Sequence, residues 1–229
     1  DGYLQFENTE FQEYLAAKEI VRLGYRFQTV YDLMIHPELK ILSPHWIDVL
    51  NFAIDLDPEF VKPIITFIRY RKHEAIDHKL IEIIMTVRPD HFDKDFRRLF
   101  FNTVFDYYSA KGKLIYHIHE RLAAYIDSND TDILRPLYRL PELTDAVRHI
   151  QSNQILLIES LANQHLLGKE DIHIWTTYLI ELVRQDELYS MQNTAFYGLI
   201  AMESIKPLLT LIAEFEQKED YLLNNLISP

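Results

Sequence analysis

Glycine is scarce in this sequence, with 5 residues in 229 against a usual share of about 7%. That scarcity disfavours folds built on many tight turns or on glycine-lined phosphate loops. Cysteine is absent, which excludes disulfide scaffolds, Cys-ligated zinc, iron–sulfur centres and thiol catalysis. The same absence fits a reducing compartment, and a cytoplasmic location is the expectation. No run of about 18 apolar residues and no signal-peptide pattern occurs, so no membrane association is expected. Basic residues are outnumbered: 23 Lys plus Arg against 35 Asp plus Glu leave a net charge of −12. Nucleic acid is a disfavoured partner for so acidic a chain.

What is present is a folded composition, 48% hydrophobic and 25% charged, of a length that suits one large domain or two small ones. Helical periodicity dominates. Ile76, Leu80, Ile83, Ile84 and Val87 recur at three- and four-residue spacing; so do Ile115, Ile118, Leu122, Tyr125 and Ile126, and again Ile172, Trp175, Tyr178, Leu179, Leu182 and Val183. Each set makes one apolar stripe, as a helix packed in a layer requires. No run alternates convincingly at period two, so strands are expected to be few or none.

Ser43-Pro44, Asp57-Pro58, Pro89-Asp90, Asp130-Thr131 and Pro141 read as helix starts, and Gly24, Gly112 and Gly168 as stops. This punctuation predicts helices near 9–23, 27–35, 44–55, 58–71, 74–87, 92–109, 113–127, 131–139, 142–151, 153–166, 170–186, 188–203 and 205–225. Val61-Lys62-Pro63-Ile64-Ile65-Thr66-Phe67-Ile68 is echoed by Ile205-Lys206-Pro207-Leu208-Leu209-Thr210-Leu211-Ile212, and more weakly by Leu134-Arg135-Pro136-Leu137-Tyr138. The three prolines are spaced at about twice a helix-hairpin period. The expected fold is therefore all-α, an irregular α-α superhelix of HEAT- or TPR-like hairpins, with a compact helical bundle as the alternative.

The most informative segment is Phe6-Glu7-Asn8-Thr9-Glu10-Phe11-Gln12-Glu13-Tyr14-Leu15-Ala16-Ala17. Thr9 reads as an N-cap with Gln12 completing a capping box. Phe11, Leu15 and Ile20 form the expected buried stripe, and Ala16 and Ala17 allow a neighbouring helix to approach. Phe6, Phe11, Gln12, Glu13, Tyr14, Leu15, Ala16 and Ala17 also resemble a motif that follows the nucleotide-binding core in NACHT-type members of the STAND NTPases. The family position often held by histidine is Asn8 here. In the family that histidine can sense the nucleotide phosphate; asparagine can hydrogen-bond but carries no switchable charge.

The resemblance implies that residues 1–25 end a winged-helix-like, NTPase-associated element and that 26–229 form a helical, repeat-like sensor domain. It further implies a role in signal transduction and defence, with a protein or peptide ligand and an NTPase domain upstream in cis. The chain opens Asp1-Gly2 without methionine and is expected to be a piece of a longer protein. ATP or ADP and Mg would then belong to the upstream domain, and no cofactor, metal or catalytic residue is expected in this chain.

The other constellations favour plainer roles. Gly112-Lys113 and Gly168-Lys169 lack the earlier glycine and the following Ser or Thr of a P-loop. His73-Glu74-Ala75-Ile76-Asp77-His78 nearly matches His-Glu-x-x-His; on a helix His73 and Asp77 can share a face, and with Asp90 they define an alternative reading as a metal-dependent hydrolase. A solvated helix start, with Glu74 near the positive end of the helix dipole, is the favoured reading. His117 and His119, two apart on the expected helix, point away from each other. Asp90, Asp93 and Asp95 surround His91, where caps and dipole partners are expected.

Arg69, Arg71, Lys72, His73, Lys79, Arg88, Arg97 and Arg98 gather positive charge locally. In the pairs Phe100-Phe101, Tyr107-Tyr108 and Phe196-Tyr197, one ring of each is expected in a second interface or a groove. Trp46 and Trp175 join them as contact anchors or core. A free-standing helical-repeat adaptor is the remaining alternative.

Overall fold

The computed structural model describes residues 9–24, 27–36, 38, 41–71, 74–126, 145–185 and 189–217. It is all-α, with eleven α-helices among the described residues: α1 Thr9–Leu23, α2 Phe27–Met34, α3 Pro44–Leu56, α4 Val61–Arg71, α5 Glu74–Ile84, α6 Lys94–Ala110, α7 His119–Ala123, α8 Asp145–Asn163, α9 Lys169–Gln185, α10 Tyr189–Ala201 and α11 Ile205–Gln217. Short 3-10 turns cover Pro58–Phe60 and Pro89–His91. The one strand-like pairing among these residues is the bridge between Ile35 and Leu42, which closes the connection from α2 to α3. The chain forms two compact units, Asp1–Val104 and Phe105–Pro229, and the division falls inside α6.

In the first unit α1 packs chiefly on α3, and α4 lies against α2 and α5. Tyr14 of α1 meets Phe52 of α3 edge to face at 5.9 Å, and Tyr31 of α2 reaches Phe67 of α4 at 4.1 Å. Phe92, Phe96 and Phe100 form an aromatic row with centroid spacings of 4.8 and 6.4 Å. Offset and edge-on rings of this kind add about 0.5–1.5 kcal/mol per pair beyond their burial. The starts at Ser43-Pro44 and Asp57-Pro58 stand where expected, with proline in the first turn of each element. Asp57 accepts the Glu59 amide at 3.1 Å, and Asp93 accepts that of Phe96 at 2.8 Å.

The second unit is organised on α8. From Gln151 to Ala162 almost every residue of α8 is buried, the signature of a helix enclosed on all sides. α7 and α10 pack directly on it, and α10 also packs on α9. Gly198 of α10 permits that closeness: a Cβ there would stand 2.9 Å from Leu179 Cδ1 and 3.5 Å from Ile155 Cγ2. Trp175 is buried in this core.

Three expectations need correction. The helix read over 113–127 is α-helical only at His119–Ala123. Residues 113–115 are irregular and single turns precede and follow α7, with Ile118 N–H donating to Ile115 and Tyr125 N–H to Leu122. Successive turns keep three- and four-residue spacing, so Ile115, Ile118, Leu122, Tyr125 and Ile126 are all buried as an unbroken helix would bury them. The break between 151 and 153 does not exist, since α8 runs through it. Asn153, expected to open a helix, lies inside α8, where its fully buried amide accepts Ile115 N–H at 3.0 Å and donates to Lys113 C=O at 2.9 Å.

Gly168 does not stop α8. The stop is His165 at φ 56°, with Leu166 N–H returning to Leu161 and His165 N–H to Ala162, a Schellman closure on a non-glycine residue. Gly168 instead precedes α9, where its carbonyl accepts Ile172 N–H. Gly24 and Gly112 do close their helices, at φ 56° and 59°.

The octapeptide echo extends to local geometry. Pro63 and Pro207 are each the third residue of their helix, where a missing N–H costs no hydrogen bond. Thr66 donates to Lys62 C=O at 2.9 Å and Thr210 to Lys206 C=O at 3.0 Å. Burial differs: Val61 and Ile65 are fully buried, whereas Ile205 and Leu209 are 66% and 61% exposed. Pro136 and the helix expected over 131–139 lie outside the described residues.

Candidate functional site

Helix α1 carries the described part of the family-like motif, and its buried positions are Glu13, Ala17 and Ile20. The stripe read from Phe11, Leu15 and Ile20 is thus rotated: Phe11 is 51% exposed and Leu15 half-buried. Glu13, a residue type that is almost never buried without a partner, takes the inward position instead. Phe6 and Asn8 lie outside the described residues.

Against this face α3 places His45, Trp46 and Val49. Together with Thr9, Gln12, Glu13 and Ala16 they line a groove of about 330 Å³, at the small end of the ~300–1,000 Å³ found for ligand clefts. Ala16 and Val49 contribute apolar lining, Trp46 an aromatic ring, and Thr9, Gln12 and His45 polar groups. Glu13 is only 8% exposed. Its Oε1 accepts a hydrogen bond at 3.1 Å from Nδ1 of His45, whose own side chain is 75% exposed. No Lys or Arg stands among the described lining residues, so the groove presents a sheltered carboxylate to whatever enters.

Chemically this is a binding arrangement for a cation or a hydrogen-bond donor. Gln12, Glu13 and Ala16, three of the eight motif positions, line the groove; Tyr14 instead holds α1 to Phe52, and Ala17 is buried. His45, Trp46 and Val49 join the site without any signal from the motif. The spacing of Trp46, Val49, Leu50 and Ala53 marks α3 as amphipathic, but which helix it faces depends on tertiary packing.

The remaining candidates disperse. His73 lies outside the described residues, as does the side chain of Asp77, and Asp90 is exposed and paired with Arg88 at 2.6 Å. Among the described residues no three His, Asp or Glu side chains gather as a metal site. In the basic group Lys79 bonds to Glu82 at 2.8 Å; Lys72 and the Arg71 side chain lie outside the described residues. Phe100 and Phe101 are both buried, whereas in Phe196-Tyr197 the tyrosine is exposed.

A second polar cluster surrounds the start of α7. His117 lies in the preceding turn and His119 opens the helix, with Tyr116 5.7 Å from each ring. His119 Nδ1 is buried without a hydrogen-bond partner among the described residues. Burial raises the Glu159 carboxyl above its ordinary value; His119 opposes this and Glu120 adds to it. No described helix is long and apolar enough to cross a membrane. Comparison with family models, with curated proteins and with solved structures finds no match.

Proposed function

We propose that this chain is the non-catalytic helical sensor region of a NACHT-type signal-transduction NTPase, acting in the cytoplasm through protein or peptide recognition and through autoinhibition of an upstream NTPase domain. The observation that carries the reading is the string from Phe6 to Ala17. Its support from geometry is that the same helix supplies four lining residues of the groove with α3. A recognition surface next to the expected junction with an NTPase is where ligand binding can act on that domain. Nucleotide and Mg belong, on this reading, to the upstream domain, and the expected biology is defence signalling.

Reading the coding sequence on the N-terminal side tests the proposal. A Walker A loop within a few hundred residues supports it; a complete unrelated domain, or a start codon immediately before residue 1, overturns it. The second reading, a free-standing helical-repeat adaptor, draws on the paired hydrogen bonds of Thr66 and Thr210 at equivalent positions of α4 and α11. It predicts the same groove without an NTPase partner.

A further inference from the structure

The groove between α1 and α3 is more specific than a general contact surface. We infer that it is a receptor for a single basic side chain, arginine above all, carried on a peptide segment of a partner protein. This inference rests on the reading of the chain as a recognition module and not on its attachment to an NTPase.

Burying a carboxylate is costly unless it is well paired. Among the described residues Glu13 has one hydrogen-bond partner, an imidazole that is itself mostly in water. Glu13 occupies an inward position of α1, beside a groove that Val49 and Trp46 also line, where packing alone calls for an apolar residue. A polar group in such a place suits a binding role. Every other feature of the groove matches the same ligand. Ala16 and Val49 accept the aliphatic stem of a long basic side chain. Trp46, a half-buried lining residue, brings an aromatic ring to the groove, the side-chain type with which a guanidinium pairs well. A guanidinium can engage a carboxylate with two parallel N–H···O bonds. His45 holds one carboxylate oxygen in the free protein and is exposed enough to be displaced by an entering cation. The net charge of −12 favours encounter with a basic segment.

The test is calorimetric titration of the full chain with a blocked pentapeptide, Gly-Ala-Arg-Ala-Gly. Its counterpart with citrulline has nearly the same shape and no charge, and n-butylguanidinium supplies the cation without a backbone. A charged hydrogen bond contributes about 1.5–3 kcal/mol, so citrulline and the variant Glu13→Gln should each weaken binding about 10- to 100-fold. Glu13→Gln should melt close to the parent, because it keeps the size and shape of the side chain, so a loss of binding is not a loss of fold. Leu33→Ala, altering an exposed side chain of α2 that does not line the groove, should keep the arginine preference and serves as the control for a folding defect.

Absence of arginine-peptide binding overturns the inference. So does equal binding of the citrulline peptide, or binding undiminished in Glu13→Gln. Equal affinity for n-butylguanidinium overturns the assignment to a peptide and makes the groove a small-cation site. None of these outcomes bears on the upstream NTPase, which the coding sequence tests separately.

Discussion

Replacing Asn153 by alanine removes a side chain that stands in for backbone. Its amide pairs with Ile115 N–H at 3.0 Å and Lys113 C=O at 2.9 Å, as a neighbouring strand would, and so fixes the irregular segment that leads into α7. Asn153 and Ile115 are both fully buried, so water cannot readily replace the partner that Ile115 N–H loses, whereas Lys113 is exposed and its carbonyl can turn to water. One stranded buried backbone group costs about 1–3 kcal/mol. At about 2–4 °C per kcal/mol for a chain of this size, Tm should fall by roughly 2–12 °C. Urea denaturation followed by far-UV circular dichroism gives the free energy, and hydrogen exchange gives the site: Ile115 N–H should lose protection more than amides in the middle of α9. Asn153→Asp keeps the acceptor but loses the donor and buries a charge, so it should not rescue. A loss below about 0.5 kcal/mol, the scale of neutral surface substitutions, with Ile115 protection intact, would refute this account of the segment.

The adjacent Gln154 should behave in the opposite way. It is fully buried and neither amide atom has a hydrogen-bond partner among the described residues, so Gln154→Met should gain about 1–3 kcal/mol in the same denaturation assay; a loss would show that the amide is satisfied in solution. The octapeptide echo gives a matched pair: Ile65→Ala should cost about 2–5 kcal/mol, and Leu209→Ala, at the equivalent but exposed position, no more than about 0.5 kcal/mol. Equal costs would mean that Leu209 is covered in solution. Glu159 supplies a pH dependence. Because burial raises its folded-state pKa, the native state binds this proton more tightly than the unfolded chain, and stability falls as pH rises from the ordinary carboxylate range through the raised value. Glu159→Gln should therefore stabilise at neutral pH and make little difference in acid, and a pH-independent difference between the two proteins would contradict it.

Much of the fold is written in local pattern. Thr9–Leu23 matches the expected span, and α3 begins at its Ser-Pro signal, because apolar spacing and first-turn proline act within a few residues. Periodicity could not separate a helix from a chain of single turns at 113–118, since both bury every third or fourth residue. It also ends one helix at 151 and opens another at Asn153, because only a distant partner, the segment 113–115, shows what the Asn153 amide does inside a continuous helix. His165 as a helix stop was equally invisible: its left-handed backbone is set by the Schellman bonds to Leu161 and Ala162 rather than by residue preference. The site was half legible. The motif marked α1, but the inward turn of Glu13 and its pairing with His45 arise where α1 meets α3, and no local signal encodes that meeting.

The central claim is that the helix bearing the motif forms, with α3, the surface this chain uses for recognition. Two-dimensional NMR of the full chain during titration with the arginine peptide addresses it directly, because the two tryptophans report separately: Trp46 lines the groove and Trp175 is buried in the second unit. The account predicts progressive shifts of the Trp46 indole N–H and of amides in 9–16 and 45–49, with the Trp175 indole unmoved. Shifts centred on Trp175 or spread over the second unit, with Trp46 stationary, would contradict it.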